Sequence, residues 1–147
     1  MLQFENYGLV LEEAVQSHFK VRYGETDQMK NMYYGRYFEW FEVARVDWIK
    51  SRGLTYKALE EQSCFLPVVE LKTRYMGANH YDDEVCIYTW LKKSNRRSVE
   101  YLHLVKNLTV NKFTTEAEIR LIAVDIAGKP TRLPEKYFNS FQLTKRA

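Results

Sequence analysis

Cysteine, proline and glycine are all scarce in this chain: 2, 3 and 6 of 147 residues. Two cysteines cannot make a disulfide framework. Cys64 and Cys86 each stand among apolar neighbours, Cys64-Phe65-Leu66 and Val85-Cys86-Ile87. They read as buried free thiols in a reducing compartment. The few prolines and glycines exclude collagen-like and low-complexity chains, and a hydrophobic content of 46% excludes disorder. No apolar stretch approaches the about 20 residues of a membrane-spanning helix. The start, Met1-Leu2-Gln3-Phe4-Glu5-Asn6, lacks the basic and then apolar pattern of a secretion signal. A cytoplasmic protein is expected. Charge of one sign is also lacking. A formal net charge of +3 suits a small anionic ligand and is too weak to indicate nucleic acid.

Aromatic residues are plentiful, at 15%, with 11 tyrosines among them. Tyrosine suits half-buried positions, where the ring packs and the hydroxyl keeps a polar partner. This favours a sheet with a wet face, or subunit and ligand contacts, over a helical bundle. The length fits one domain, 1–147, and there is no repeat or linker. Residues 1–14 show no clear period and form an uncertain extension; residues 131–147 form a tail.

Between these ends the periods are readable. Ser17 to Tyr23 alternates His18, Lys20, Arg22 against Phe19, Val21, Tyr23, which predicts a strand with one buried face. A polar loop follows over 24–33. From Tyr34 to Ser51, Tyr34, Tyr37, Phe38, Phe41, Ala44, Trp48 and Ile49 fall three and four apart, predicting a long helix that Gly53 stops. With Trp40 added, that helix is apolar on so many sides that something must wrap it. Residues 55–63 predict a short second helix. Leu66–Met76, Asp83–Lys93, Ser98–Asn107 and Phe113–Asp125 then read as strands, and hairpin-length breaks predict a four-stranded meander. The class is α+β, with five antiparallel strands curled around one central helix.

Asp27 is the leading chemical candidate. It stands in the polar loop just before the predicted helix start, where unpaired backbone N–H groups can hold a carbonyl oxygen while an acid attacks the carbon. The bland alternative is an aspartate that only shapes a turn. Lys92-Lys93-Ser94-Asn95-Arg96-Arg97 places four cations in six residues, as a solvated hairpin tip does. Glu42 and Arg45 are three apart on the helix and are placed to pair. His18, His80 and His103 show no metal-ligand spacing, and neither a CxxC nor a G-x-S-x-G elbow is present.

Tyr23-Gly24-Glu25-Thr26-Asp27, Met29, Tyr33-Tyr34-Gly35-Arg36-Tyr37 and Trp40-Phe41-Glu42-Val43-Ala44-Arg45 together resemble the 4-hydroxybenzoyl-CoA thioesterase-like (YbgC-type) hot-dog family. Leu66-Pro67-Val68-Val69-Glu70, Arg74-Tyr75, Tyr81-Asp82-Asp83 and Gly128-Lys129-Pro130-Thr131-Arg132-Leu133-Pro134 extend the likeness in order, from His18 to Tyr137. The resemblance implies a sheet wrapped around a long helix and an acyl-CoA thioesterase that needs no metal or organic cofactor. Coenzyme A enters only as part of the substrate. It implies Asp27 as nucleophile or general base and the Tyr34 backbone N–H, with that of Gly35, as oxyanion donors. Met29, Lys30, Met32 and Tyr33 would surround the acyl group. Arg74, Lys92, Lys93, Arg96 and Arg97 are candidate partners of coenzyme A phosphates. Family members assemble as dimers or tetramers, so a homo-oligomer is expected.

The chain departs from the family pattern at Lys30, where glycine is frequent, at Asn31, and at Ala78-Asn79-His80, where Pro-Ala-Arg is usual. Lys30 places a cation three residues from Asp27. Two rival readings follow: a non-catalytic acyl-CoA or acyl-carrier-protein binding module with Asp27 neutralised, and a hydroxyacyl-thioester dehydratase. The dehydratase would need a pocket histidine, and residues 19–79 contain none. Another thioesterase lineage of this fold uses a helix carboxylate, for which Glu42 is the counterpart.

Overall fold

A computed structural model of the chain describes residues 2–142. Met1 of the expected extension and residues 143–147 of the expected tail lie outside them. Five strands form one antiparallel sheet: β1 (Val15–Lys20), β2 (Val68–Tyr75), β3 (Glu84–Ser94), β4 (Ser98–Asn107) and β5 (Lys112–Ile122). The helices are α1 (Gln3–Asn6), α2 (Tyr37–Ser51), α3 (Tyr56–Glu61) and α4 (Glu135–Gln142), and a 3-10 turn, Tyr34–Arg36, leads into α2. The helical run therefore begins at Tyr34, and Gly53, at φ 75°, ends it in the left-handed conformation that favours glycine.

The strand order is β1-β3-β4-β5-β2, which corrects the meander. Only β3, β4 and β5 follow one another as hairpins; β2 pairs with β5, from Val68↔Leu121 to Tyr75↔Thr115. Residues 76–83 carry the chain from that edge back across to β3. Hydrophobic alternation marks where strands are and carries no information on which strands pair. The first strand is also shorter than its alternation suggests. Val21 still donates its N–H to the Asp83 carbonyl (3.0 Å), but the Arg22 N–H turns to the Glu25 carboxylate (2.8 Å) and ends the ladder. Tyr23–Glu25 is a 3-10 turn, and part of the expected tail is the helix α4.

Helix α2 presses Tyr37, Trp40, Phe41, Ala44, Arg45, Trp48 and Ile49 into the core. Val85, Ile87, Val99, Tyr101, Val105, Ala117, Ile119 and Leu121 face it from the sheet. Trp40 and Arg45 take the core places expected for Tyr34 and Phe38, which are exposed. A rotation about the helix axis separates the two assignments, and the extra apolar groups blur the phase of the stripe. Trp48 meets Tyr101 edge to face at 5.3 Å and Phe141 of α4 at 5.4 Å.

The chain's own first residues cover part of the other face of the sheet. Trp90, Leu102 and Leu104 form a second cluster there, packed by Leu2, Phe4, Leu9 and Leu11. Phe4 stacks on Trp90 at 5.1 Å, and the Trp90 indole N–H donates to the Val10 carbonyl (2.9 Å). Tyr7 lies over the Lys92 ammonium at 4.5 Å and donates its hydroxyl to Glu118 (3.1 Å). The ambiguous extension is thus an ordered arm across the sheet. Among the described residues, no helix is long and apolar enough to cross a membrane.

Trp48 is 1% exposed and joins α2, β4 and α4. Trp48→Ala removes the ring and leaves a cavity, so unfolding by urea should show a loss of about 3–5 kcal/mol.

Candidate active site

Loop 25–33 is closed on itself by backbone hydrogen bonds. The Tyr33 N–H donates to the Glu25 carbonyl (2.7 Å) and the Asp27 N–H to the Asn31 carbonyl (2.9 Å), and Thr26 bridges to Met32. Within the loop the Asp27 Oδ1 accepts the N–H groups of Met29 (2.8 Å) and Asn31 (3.3 Å). This is the turn-shaping use of an aspartate, and it occupies only one of the two carboxylate oxygens. Oδ2 has no hydrogen bond among the described residues, and the side chain is partly exposed.

The loop delivers the chain to the start of the helical run. Tyr34 and Gly35 are its first residues, so their N–H groups have no intrahelical acceptor, and no other described residue accepts from them. Both belong to the electropositive end of an 18-residue helical run. The Tyr34 carbonyl is held instead, by the Tyr75 hydroxyl of β2 (2.9 Å). Tyr75 also meets Tyr37 edge to face at 5.3 Å, and burial raises the pKa of both phenols. The edge strand thus fixes the helix mouth.

Two buried polar groups anchor the loop from beneath. Glu25 is 3% exposed, and its carboxylate accepts the Trp40 indole N–H (2.7 Å) and the Arg22 backbone N–H (2.8 Å), with the Arg22 Nε at 3.3 Å. Burial acts to raise its pKa; the donors of Arg22 and Trp40 outweigh burial, and the net direction is down. Asn79 is fully buried. Its amide donates to the Tyr37 hydroxyl (2.8 Å) and the Thr114 hydroxyl (3.0 Å), and its backbone carbonyl accepts the Met32 N–H (2.7 Å). Sequence reasoning missed Glu25, Tyr75 and Asn79 as site supports. The departure from Pro-Ala-Arg at 78–80 was the signal for Asn79; Glu25 and Tyr75 stand within the family motifs, which gave no hint of their partners.

An open groove of about 730 Å³ runs along the loop, lined by Tyr23, Thr26, Asp27, Lys30, His80 and Tyr81 among others. Tyr23 and Tyr81 meet edge to face at 5.7 Å, and Asn31 bridges to His80. The fold therefore brings a histidine from just beyond residues 19–79 beside Asp27. Lys30 shares this groove without closing an ion pair to Asp27 within 4.0 Å. Its φ of 67° explains why glycine is frequent at this position in the family. Met29 and Tyr33 are exposed beside the loop. Met32 is not: at 5% exposure it is a core residue, which corrects its place in the acyl pocket. Glu42 is on the exposed side of α2 while Arg45 turns into the core, so the expected pair does not close.

The candidate phosphate partners divide into two sets. Lys92, Lys93 and Arg74 are on the sheet's outer face, engaged with Glu118 (3.2 Å), Glu100 (3.8 Å) and Glu116 (3.6 Å) respectively. Each of these cations has a carboxylate within 4.0 Å, and Glu100 is shared among Lys92, Lys93 and Arg120. Arg96 and Arg97 instead line a groove of about 590 Å³ with Arg120 and Arg132. The Arg96 Nε donates to the Leu133 carbonyl (2.9 Å), and among the described residues neither Arg97 nor Arg132 has an ion pair. Arg120 and Arg132 were not expected. The groove is at the Ser98↔Ile122 end of the sheet, opposite the end that carries Asp27. No group of three or more His, Cys, Asp or Glu side chains among the described residues is placed to hold a metal ion.

Two substitutions test this account. Lys30→Gly relieves the left-handed strain, so thermal unfolding should show a gain of up to about 1 kcal/mol. Glu25→Gln should lose about 2 kcal/mol at neutral pH. The folded pKa of Glu25 is lowered, so its ionised form stabilises the protein above the unfolded carboxylate's titration and ceases to do so as pH falls through the folded value. Wild type and Glu25→Gln should therefore converge in stability as the pH drops through and below the glutamate range, read by denaturant midpoints from pH 7 to about pH 3.

Residues 21–141 match the model of the Thioesterase-like superfamily. A putative acyl-CoA thioesterase, YneP, of Bacillus subtilis is 34% identical over 88 residues, 60% of this chain and 64% of that protein. The acyl-CoA thioesterase YbgC of Haemophilus influenzae is 24% identical over 92% of this chain and all of its own length. The crystal structure of a DHNA-CoA thioesterase from Staphylococcus aureus superposes with a TM-score of 0.80 at 32% identity, covering 88% of this chain and 86% of that one. Sheet, helix and likeness agree with the hot-dog architecture, and at the level of the family they support thioester hydrolysis. The chain belongs to the Thioesterase-like superfamily.

Proposed function

We propose that the protein hydrolyses an acyl-CoA thioester to a carboxylic acid and free coenzyme A. The observation that carries this reading is the pairing of a half-engaged Asp27 carboxylate with two unengaged N–H groups at the mouth of the helical run. A thioester carbonyl has little resonance stabilisation, so polarising it and supplying a nucleophile is enough. The Tyr34 N–H, aided by that of Gly35, takes the carbonyl oxygen. The Asp27 Oδ2 either bonds to the carbonyl carbon, giving a mixed anhydride that water opens, or takes a proton from a water that bonds there. In the first route the carbon–sulfur bond breaks as the anhydride forms, before water opens it, and the thiolate takes its proton from water. In the second it breaks after water has added, and the proton held by Asp27 passes to the thiolate. Every step is assigned to groups of this chain, a water and the substrate.

The proposed assembly is a homodimer built on β2. This edge strand exposes Val68, Val69, Leu71 and Tyr75, and an open edge of that kind invites a second strand. Antiparallel pairing of two β2 strands about a two-fold axis sets the Val68 end of one beside the Tyr75 end of the other. Those ends are about 23 Å apart within one strand. The arginine groove adjoins the Val68 end and the helix mouth the Tyr75 end. The groove of one subunit would then face the site of its partner, where Arg97 and Arg132 could take the phosphates of coenzyme A. Two buried free thiols, Cys64 and Cys86, support a reducing, cytoplasmic setting.

Free-thiol release measured across short, long and aromatic acyl-CoAs should find at least one substrate. Asp27→Asn should lower kcat by about 10²–10⁴-fold. Arg97→Ala and Arg132→Ala should raise KM with little change in kcat. Equal turnover by wild type and Asp27→Asn would remove Asp27 from the chemistry. Binding without release of thiol from any substrate would establish the non-catalytic module instead. Single turnover in heavy-oxygen water that leaves label in the Asp27 carboxylate establishes the anhydride route, with water opening the anhydride at the aspartyl carbon.

A further inference from the structure

Beyond anchoring its loop, Glu25 acts on the chemistry: we propose that it is a positioning residue that sets the Asp27 carboxylate against the N–H groups of Tyr34 and Gly35. The proposal rests on the thioesterase reading of Asp27. Glu25 is two residues before the acid, and its carbonyl receives the Tyr33 N–H (2.7 Å), the last amide before the helix mouth. Both ends of the closed loop therefore meet at one residue. Its carboxylate, buried to 3% exposure, accepts from Trp40 in the first turn of α2 (2.7 Å) and from Arg22 at the end of the strand segment (2.8 Å). The loop of Asp27 is thereby tied to the same helical run whose amides take the substrate oxygen in that reading. A buried carboxylate is retained only where its donors are in place, so this tie has a definite geometry.

The other contacts hold the loop at different points. Asp27 is otherwise held by amides of its own loop, from Met29 and Asn31, which move with it. Asn79 holds Tyr37 and Met32, and Met32 bridges to Thr26, so this second anchor grips the returning limb of the loop while Glu25 grips the entering one. Trp40 is fixed in turn by stacking on Phe19 at 4.9 Å and 7°. The path from α2 that enters the loop on the strand side, two residues before Asp27, thus runs through one indole N–H and one carboxylate. Displacements near 1 Å between reacting groups change rates by about 100-fold, so loss of this tie should appear in kcat.

The test uses the full chain, with each variant assayed about 20 °C below its own melting temperature. Glu25→Gln and Trp40→Phe should each lower kcat by about 10–100-fold while KM stays within about 2-fold. Their double variant should lose no more than the larger single loss, because both remove one contact. A merely structural role would move the melting temperature and leave kcat at that offset unchanged. If Glu25→Gln fails to fold, Trp40→Phe decides, since it keeps an aromatic ring on Phe19 and deletes only the indole and its donor. Wild-type kcat in Trp40→Phe, or in folded Glu25→Gln, with Asp27→Asn inactive, overturns the positioning role alone. An active Asp27→Asn overturns both it and the reading beneath it.

Discussion

Trp48, Phe41 and Ala44 of α2, buried against Tyr101, Val99 and Ile119 of the sheet, are the contact on which the other arrangements depend. A helix seated this firmly can leave the amides at its mouth without protein partners, because packing along its length holds it in place. The same seating fixes Trp40, and through it Glu25 and the loop that carries Asp27. Apolar burial remote from the polar end thus sets the geometry of that end. An aspartate in a loop with no such anchor would sample many positions relative to any carbonyl bound at the helix mouth.

Buried polar groups give this core its particular character. His103 is fully enclosed between Phe41 (4.8 Å, stacked) and Thr89, whose hydroxyl meets its Nδ1 at 2.9 Å. Burial, reinforced by the Arg45 charge, pushes its pKa well below the usual imidazole range, so the ring is neutral. Arg45 is itself sunk among Tyr56 and Tyr101. The three histidines thus have separate surroundings, one exposed on β1, one at the groove and one in the core. That separation agrees with their lack of ligand spacing in the chain.

Elements were legible where local rules decide them, and partners were not. The start of the helical run at Tyr34, its stop before Gly53, and strands β3 and β4 follow from periodicity, turn chemistry and β-branched content. The position of β2 at the far edge does not, since pairing is settled by long-range packing. Asp27 was legible through a motif, and its Asx turn through residue type alone. Met32 was misplaced because a methionine beside a site is equally at home in a core. Lys92 and Arg96 are four residues apart in one basic run, but strand geometry gives one to the outer face and the other to the groove. Glu25 stands in a motif with no partner marked beside it; only the fold shows an indole N–H aimed at it.

The arm formed by residues 2–14 has a bearing on how copies of this chain can meet. With Phe4 stacked on Trp90 and Leu2, Leu9 and Leu11 over Leu102 and Leu104, the broad back of the sheet already wears an apolar lining supplied from within. Its remaining outward groups on β2, β4 and β5 alternate Glu70, Lys72, Glu100, Glu118 and Arg120, a hydrated surface. Exposed apolar side chains occur on the edge strand β2, at Val68, Val69, Leu71 and Tyr75, and on the arm itself, at Tyr7 and Val10. The back that any second copy would meet is thus made in part by the chain's own first residues rather than by bare sheet.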